Sequence, residues 1–319
     1  MLVGRLRLKE RFMLGEKALL IANPASRHGE GAVAAVRAER LLRETVGARL
    51  TVMLTSHQGH AADIAESAAG LDAVVALGGD GLIHEVLNGL MAIPAALRPP
   101  LGVIPAGSGN DYAGALGMAA TLTDIVHQLD NAPHRTSDVG CCNGEYFMET
   151  LSFGLDAAIA LDTIERRERT GAAGLSLYVQ SGIDQLLHNL KPRRMEAIFD
   201  GKERREDVIL CAVQNGPTYG GGFRICPDAL FDDGLLDVCI AHAPVGALKA
   251  GWVFLRAKSG HHRHFKEIET FRAREISLRF DESLPVQIDG EPLFETEYKI
   301  SVEPGALRVI APNDKPFSK

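Results

Sequence analysis

Residues 72–92 read "DAVVALGGDGLIHEVLNGLMA", and no other stretch restricts the fold as tightly. A short apolar run stops at a glycine turn, and apolar residues then recur at helical spacing. That is strand, turn, helix. The pattern returns at 101–117, "LGVIPAGSGNDYAGALG". Upstream, "KALLIAN" (17–23) reads as a buried strand, 30–46 as a helix, "ARLTVMLT" (48–55) as a strand and 59–69 as a helix. Strands alternating with helices predict a parallel sheet flanked by helices, with right-handed crossovers. Ligands of such sheets bind beyond the carboxyl ends of the strands. Both glycine loops fall at those ends.

After about residue 135 the rhythm changes. "RTSDVG", "EYFMETLSFG", "RRMEAIFD", "EDVILCAVQN", "GLLDVCIAH", "EISLRF", "LPVQIDG" and "EYKISVE" read as strands, interrupted by helical stretches at about 155–169, 174–190 and 245–258. Closely spaced strands predict a second, antiparallel, β-rich domain. The expected division is an α/β domain over 16–135 and a β-rich domain over 136–302. A last strand, "LRVIAP" (307–312), is expected to return to the first domain within about 303–315. The 319 residues suffice for two such units.

A net charge of −7 argues against a nucleic-acid partner, because no basic field offsets phosphate repulsion. No run of about 18 uncharged apolar residues predicts a transmembrane helix. The start, "MLVGRLRLKERFMLGEKALLIANP", is basic and broken by charges, unlike a signal peptide. Five cysteines, an odd number with no CxxC pair, fit a reduced cytosolic chain.

Asp80 sits where a phosphate would be expected, at a glycine turn feeding a helix N-terminus. Two unit charges 4 Å apart interact by about 1 kcal/mol in bulk water and about 4 kcal/mol near a protein surface. Unneutralised, Asp80 would repel a triphosphate. It could contact sugar hydroxyls, hold a bridging divalent cation, or cap the helix at 81–92. The second loop supplies Gly107, Ser108, Gly109 and Asn110, so two neighbouring strands end in loops suited to one phosphate pocket. Neither is a Walker motif, and the first turn, "NPASRHG" (23–29), is not a Rossmann GxGxxG. "GGGFRICPDALFDDGLLDV" (220–238) adds a triple glycine and the carboxylates Asp232, Asp233 and Asp237. "LPVQIDGEPLFE" (284–295) predicts a hairpin at Asp289-Gly290.

In order, "LLIANPASRHG", "LGGDGLIHEVLNGL", "LGVIPAGSGNDYAGALG", "SFGLDA", "GGGFRICPDALFDDGLLDV" and "IDGEPL" resemble the diacylglycerol kinase catalytic-domain family, most of all its soluble bacterial lipid-kinase branch. The resemblance covers roughly 17–312. It implies an active site in the cleft between the two domains and transfer of the γ-phosphate of ATP to a lipid hydroxyl, such as that of diacylglycerol or a sphingoid base. Asn23, Pro24, Ala25, Ser26, Arg27 and Thr55 would line the ATP site. Gly78, Gly79, Asp80, Gly81, Leu82, Ile83, His84 and Ser108 would hold the phosphates. Asp233 with the backbone oxygens of Leu230 and Leu235 would form a structural Mg²⁺ site, Glu291 would be the general base, and Asp80 would join a water–magnesium network. The implied setting is the cytoplasm, in transient peripheral contact with the inner membrane surface where the lipid resides. A homodimer is compatible with it.

Leu82 stands where the family usually has Thr, and Gly-Ser-Gly-Asn (107–110) where it usually has Gly-Thr-Gly-Asn. Two other functions fit the residues: a kinase of a soluble hydroxyl substrate, since NAD kinases share Gly-Gly-Asp-Gly, and a catalytically silent nucleotide- or lipid-binding regulator. In "WVFLRAKSGHHRHFKE" (252–267) the apolar residues are expected to pack inward with the cations in water, membrane contact being the second reading, and His261, His262 and His264 are expected in a solvated loop, a metal site being the lesser reading. "IERRERT" (164–170) is expected to be a solvated face, with a headgroup clamp the lesser reading.

Overall fold

The computed structural model describes residues 14–46, 49–172, 175–312 and 316–317. The basic start, residues 1–13, lies outside the described residues. Four parallel strands, Arg49–Leu54, Lys17–Ala22, Ala73–Gly78 and Leu101–Pro105, lie side by side in that order. Their side chains alternate between two cores. Leu19, Ile21, Val74, Ala76 and Val103 pack with Ile83, Val86, Leu87 and Leu90 of helix Asp80–Ala92. Leu20, Ala22, Val75, Leu77 and Ile104 pack with Ala35, Ala38 and Leu42 of helix Gly31–Val46. Strands buried on both faces are the near-continuous apolar runs of the sequence.

The second half is an antiparallel array built on the long strand Lys202–Gln214, which pairs with Arg193–Phe199, Thr150–Gly154 and Leu236–His242. Helices Leu155–Thr170, Leu175–His188 and Ala247–Ala257 pack as one layer, with Leu155, Ile159, Tyr178 and Ala250 in a core against Ala212 and Cys239 of that sheet. The expected fold class, α/β followed by β-rich antiparallel, is the one observed.

Four local expectations are corrected. "EYKISVE" and "LRVIAP" are not two strands but one, Glu297–Ile310. Its register against His134–Cys142 shifts between Glu303 and Leu307, and Val309 pairs in parallel with Leu101. "EYFMETLSFG" divides into Glu145–Phe147 and Thr150–Gly154. Helix Leu122–Asn131 and strand Ile268–Ala273 were not read from the pattern. His262 is not solvated: it is 3% exposed, its Nε2 lies 3.9 Å from Cys239 Sγ, and burial pulls its pKa down to about 4. All five cysteines are free thiols.

Candidate active site

The two glycine loops touch. A Cβ at Gly107 would come 2.4 Å from Gly79 Cα, so the loops approach to a distance that only glycine permits. Asn110 holds this arrangement. It adopts a left-handed backbone (φ 56°), its Oδ1 accepts the Gly107 N–H at 2.7 Å, and its Nδ2 donates to Gly107 C=O at 2.9 Å. Asn110 therefore clamps its own loop and makes no side-chain cap to helix Asp111–Leu116.

Asp80 is the first residue of helix Asp80–Ala92, and Gly79 is its cap, without a side-chain hydrogen bond. The capping role weighed for Asp80 is thus not the one it plays. Its Oδ2 accepts the Asn110 N–H at 2.9 Å, and its Oδ1 is buried with no donor. Burial, with the charge of Asp111 close by, pushes its pKa up to about 6.

A cleft of about 580 Å³ opens over these loops. The first domain lines it with Asn23, Ser26, Gly79, Asp80, Gly81, Leu82 and Ser108, and the second with Glu149, Arg167, Tyr178, Gly221, Asp289 and Glu291. Glu291 follows a type I′ turn in which both central residues, Asp289 (φ 46°) and Gly290 (φ 96°), are left-handed. A Cβ built on Gly81 would lie 3.3 Å from Glu291 Oε1. The carboxylate therefore rests against the first turn of the Asp80 helix, and Gln58 Nε2 donates to its Oε2 at 3.2 Å.

Two further contacts join the walls. Asp111 accepts N–H bonds from Gly221 (2.7 Å) and Gly222 (2.5 Å), inside a run of three left-handed glycines, 220–222. Across the other end, His84 Nδ1 lies 3.2 Å from Asp289 Oδ2, and its Nε2 lies 3.1 Å from Glu145 Oε1. Burial opposes a charge on His84, but the hydrogen bonds to Asp289 and Glu145 outweigh it and push the pKa up to about 10.

Some of the residues expected at the nucleotide do not line this cleft. Ile83 is fully buried in the core and its N–H bonds Gly79 C=O. His84 is turned to the interdomain contact and does not line the cleft. Pro24, Ala25, Thr55 and Gly78 also lie outside the lining, and the side chain of Arg27 is outside the described residues. Leu82 borders the cleft but is only 7% exposed; it packs over Gly78, where a Cβ would come 2.4 Å from its Cδ2.

Two lining residues carried no local signal. Glu149 is 5% exposed, its Oε1 has no donor, and burial raises its pKa well above the carboxylate range. Arg167 is the one cation of the lining among the described residues, and its Nε is buried without an acceptor. The "IERRERT" face is thus not wholly solvated.

The bare oxygens of Asp80 and Glu149 at one cleft suit a hard divalent cation. At the second expected site, Asp233 Oδ1 accepts the Leu235 N–H at 3.1 Å, while Oδ2 is buried without a hydrogen-bond donor and 3.4 Å from Arg272. That oxygen also suits a hard cation, with Arg272 sharing the charge. Elsewhere Glu206, His242 and Glu269 cluster, but both imidazole nitrogens already face carboxylates (2.7 and 3.0 Å), and Arg204 pairs with both glutamates. That group is a complete ion-pair net.

The diacylglycerol kinase catalytic domain profile matches residues 17–142, and the profile of the YegS C-terminal NAD kinase beta sandwich-like domain matches 149–311. A Chromohalobacter salexigens relative named "Probable lipid kinase YegS-like" is 31% identical over 83% of this chain and 85% of its own. The chain belongs to the YegS-like lipid kinase family. Another member, "Probable lipid kinase YegS-like" of Pseudomonas fluorescens, is 31% identical over 96% of this chain and 98% of its own. The family fold is seen in the crystal structure of a diacylglycerol kinase from Bacillus anthracis, with a TM-score of 0.77 and 24% identity, covering 93% of this chain and 97% of that one. Among the described residues no helix is long and apolar enough to cross a membrane.

Proposed function

We propose that the chain transfers the γ-phosphoryl group of ATP to the hydroxyl of a lipid, with diacylglycerol and sphingoid bases as the candidate acceptors. The observation that carries the lipid half is a second cavity. It is narrow, about 70 Å³, lies under helices Leu155–Thr170, Leu175–His188 and Ala247–Ala257, and is walled by Ile159, Ile209, Phe223, Val253 and Phe254. Tyr178 lines both this cavity and the polar cleft. An apolar tail beside a phosphate pocket is the shape of a lipid alcohol.

In this reading the glycine loops and Ser108 hold the phosphates, and Arg167 offsets their charge. Asp80, with Glu149 beside it, would hold magnesium, which would supply neutralisation of phosphate charge. Glu291 accepts the proton of the attacking hydroxyl. His84 acts at one remove: bonded to Asp289 in the turn that precedes Glu291, it fixes where that carboxylate stands. Asp233 with the carbonyls of Leu230 and Leu235 would hold a structural Mg²⁺, whose test is a magnesium-dependent rise in melting temperature lost in Asp233→Asn.

Ala250→Leu narrows the apolar cavity without touching the cleft. It should raise KM for a long-chain lipid several-fold and leave KM for ATP unchanged. Equal effects on both, or on neither, would remove the lipid assignment.

A further inference from the structure

Helix Ala247–Ala257 has two apolar faces. The inner one, with Ala250, Val253, Phe254 and Ala257, walls the apolar cavity. The outer one leaves Leu248 95%, Trp252 55% and Leu255 54% exposed, at positions i, i+4 and i+7. The expectation that these apolar residues all pack inward therefore holds for Phe254 and fails for Trp252 and Leu255.

The adjoining helix Leu175–His188 also carries exposed apolar residues. A Cβ at Gly182 would come 2.5 Å from the Phe254 ring, and one at Gly251 would meet Leu186 at 4.0 Å. The two helices are thus closely packed along this seam. Ile183 (55% exposed) and Leu187 (70%) are the sequence neighbours of Gly182 and Leu186 and stand in solvent. Scattered apolar residues on a surface are ordinary, but five on two adjoining helices call for an occupant.

Charge indicates which occupant. Residues 247–266 carry Lys249, Arg256, Lys258, Arg263 and Lys266 and no Asp or Glu, in a chain of net charge −7. Arg256 lies over the Trp252 ring at 5.9 Å, so a cation and an indole share one spot of the exposed face. Lys249 and Arg263 are paired with Glu267 and Asp228, and Lys258 is turned to Gly221 C=O and the Phe223 ring, which leaves Arg256, beside Trp252, and Lys266. An apolar face with a basic rim fits an anionic bilayer surface, with the indole at headgroup depth.

We propose that the outer face of helix Ala247–Ala257, with Ile183 and Leu187, docks on an anionic lipid bilayer and sets the apolar cavity behind that helix against the membrane. The docking surface stands on its own observations; its use for substrate delivery rests on the lipid reading above. A tail leaving the bilayer would then pass a single helix to reach the cavity, which shares Tyr178 with the cleft.

Trp252 is the chain's only tryptophan, so its fluorescence reports the patch directly. Phosphatidylglycerol vesicles should shift its emission to the blue and carry the full chain upward in flotation. Phosphatidylcholine vesicles should do so far less, and salt should weaken the effect. Leu248→Ser/Leu255→Ser, which keeps the probe and changes only exposed side chains, should lower vesicle partitioning by about 10-fold or more. The same variant should phosphorylate a short-chain diacylglycerol in micelles within about twofold of wild type. An unshifted emission, equal partitioning of the variant, or a concentration-dependent dimer that shifts Trp252 without lipid would overturn the docking proposal. Vesicle binding with no phosphate transfer to any lipid would uphold docking and remove the lipid-kinase reading. Transfer in micelles without vesicle binding would do the reverse.

Discussion

His84 Nδ1 and Asp289 Oδ2 stand 3.2 Å apart, and this contact ties the Asp80 helix to the turn that precedes Glu291. The same Asp289 carboxylate accepts N–H bonds from Met148 (2.8 Å), Glu149 (3.0 Å) and Thr150 (2.9 Å). One side chain therefore gathers three parts of the chain at the cleft. With its pKa pushed up to about 10 from 6.5, His84 is an imidazolium at neutral pH.

Removing that charge leaves a buried carboxylate short of one partner. His84→Gln should cost about 3 kcal/mol of stability at pH 6. A histidine raised on folding stabilises fully below its ordinary pKa of 6.5 and loses that contribution as pH rises through about 10. The gap between wild type and variant in urea unfolding should accordingly shrink between pH 6.5 and pH 10. A gap independent of pH would mean that His84 is neutral in the folded chain.

Asp80 is shifted in the same direction, but there the charged form is the one that folding disfavours. Its carboxyl is raised from 3.8 to about 6, so the folded chain binds the proton more tightly than the unfolded one. The cost of ionising it is fully present above pH 6 and disappears as pH falls toward 4. Asp80→Asn should therefore raise the melting temperature at pH 8, gain nothing at pH 4, and weaken use of magnesium–ATP. A lower melting temperature at pH 8 would show that the charge supports the fold.

Glu149 is buried, and the loss of solvation raises its pKa well above the ordinary carboxylate value, so burial disfavours its charged form. Glu149→Gln keeps its shape and should change stability by less than about 1 kcal/mol at pH 7. If Glu149 serves magnesium beside Asp80, the same change raises the magnesium concentration needed for half-maximal rate. An unaltered magnesium requirement would assign it to packing alone.

Leu82 occupies the position where a hydroxyl would reach the cleft, yet it belongs to the core, 7% exposed over Gly78. Leu82→Thr should lower stability by about 1–3 kcal/mol, through lost apolar burial. A threonine that raised both stability and turnover would show that the leucine is not a packing residue.

Much of the fold could be read from residues because its signals are local. Three of the four parallel strands of the first domain are near-continuous apolar runs, and the Asp289-Gly290 hairpin is written in adjacent letters. What the hairpin does could not be read that way, because the donors that reach Asp289 come from Met148, Glu149 and Thr150, about 140 positions away. Glu149 and Arg167 face the cleft only because Thr150–Gly154 and Leu155–Thr170 are placed by the sheet. Helix Leu122–Asn131 did carry a local signal: Thr121 Oγ1 accepts the Asp124 N–H at 3.2 Å, a Ser/Thr-x-x-Asp start passed over in "TLTD". Helical spacing separates Trp252 and Leu255 from Phe254, but which of the two apolar faces turns inward shows only where Phe254 meets Gly182 and Leu186 meets Gly251 on the adjoining helix.

The central claim is phosphoryl transfer to a lipid hydroxyl with Glu291 as base. Its most direct test follows labelled γ-phosphate from ATP into diacylglycerol, sphingoid-base and other hydroxylated lipids in mixed micelles, with and without magnesium, for wild type and Glu291→Gln. The account predicts magnesium-dependent label on one lipid class, about 10²–10⁴-fold slower in the variant, with both proteins melting at similar temperatures. Wild-type turnover in Glu291→Gln, or no labelled lipid despite measurable ATP binding, would contradict it.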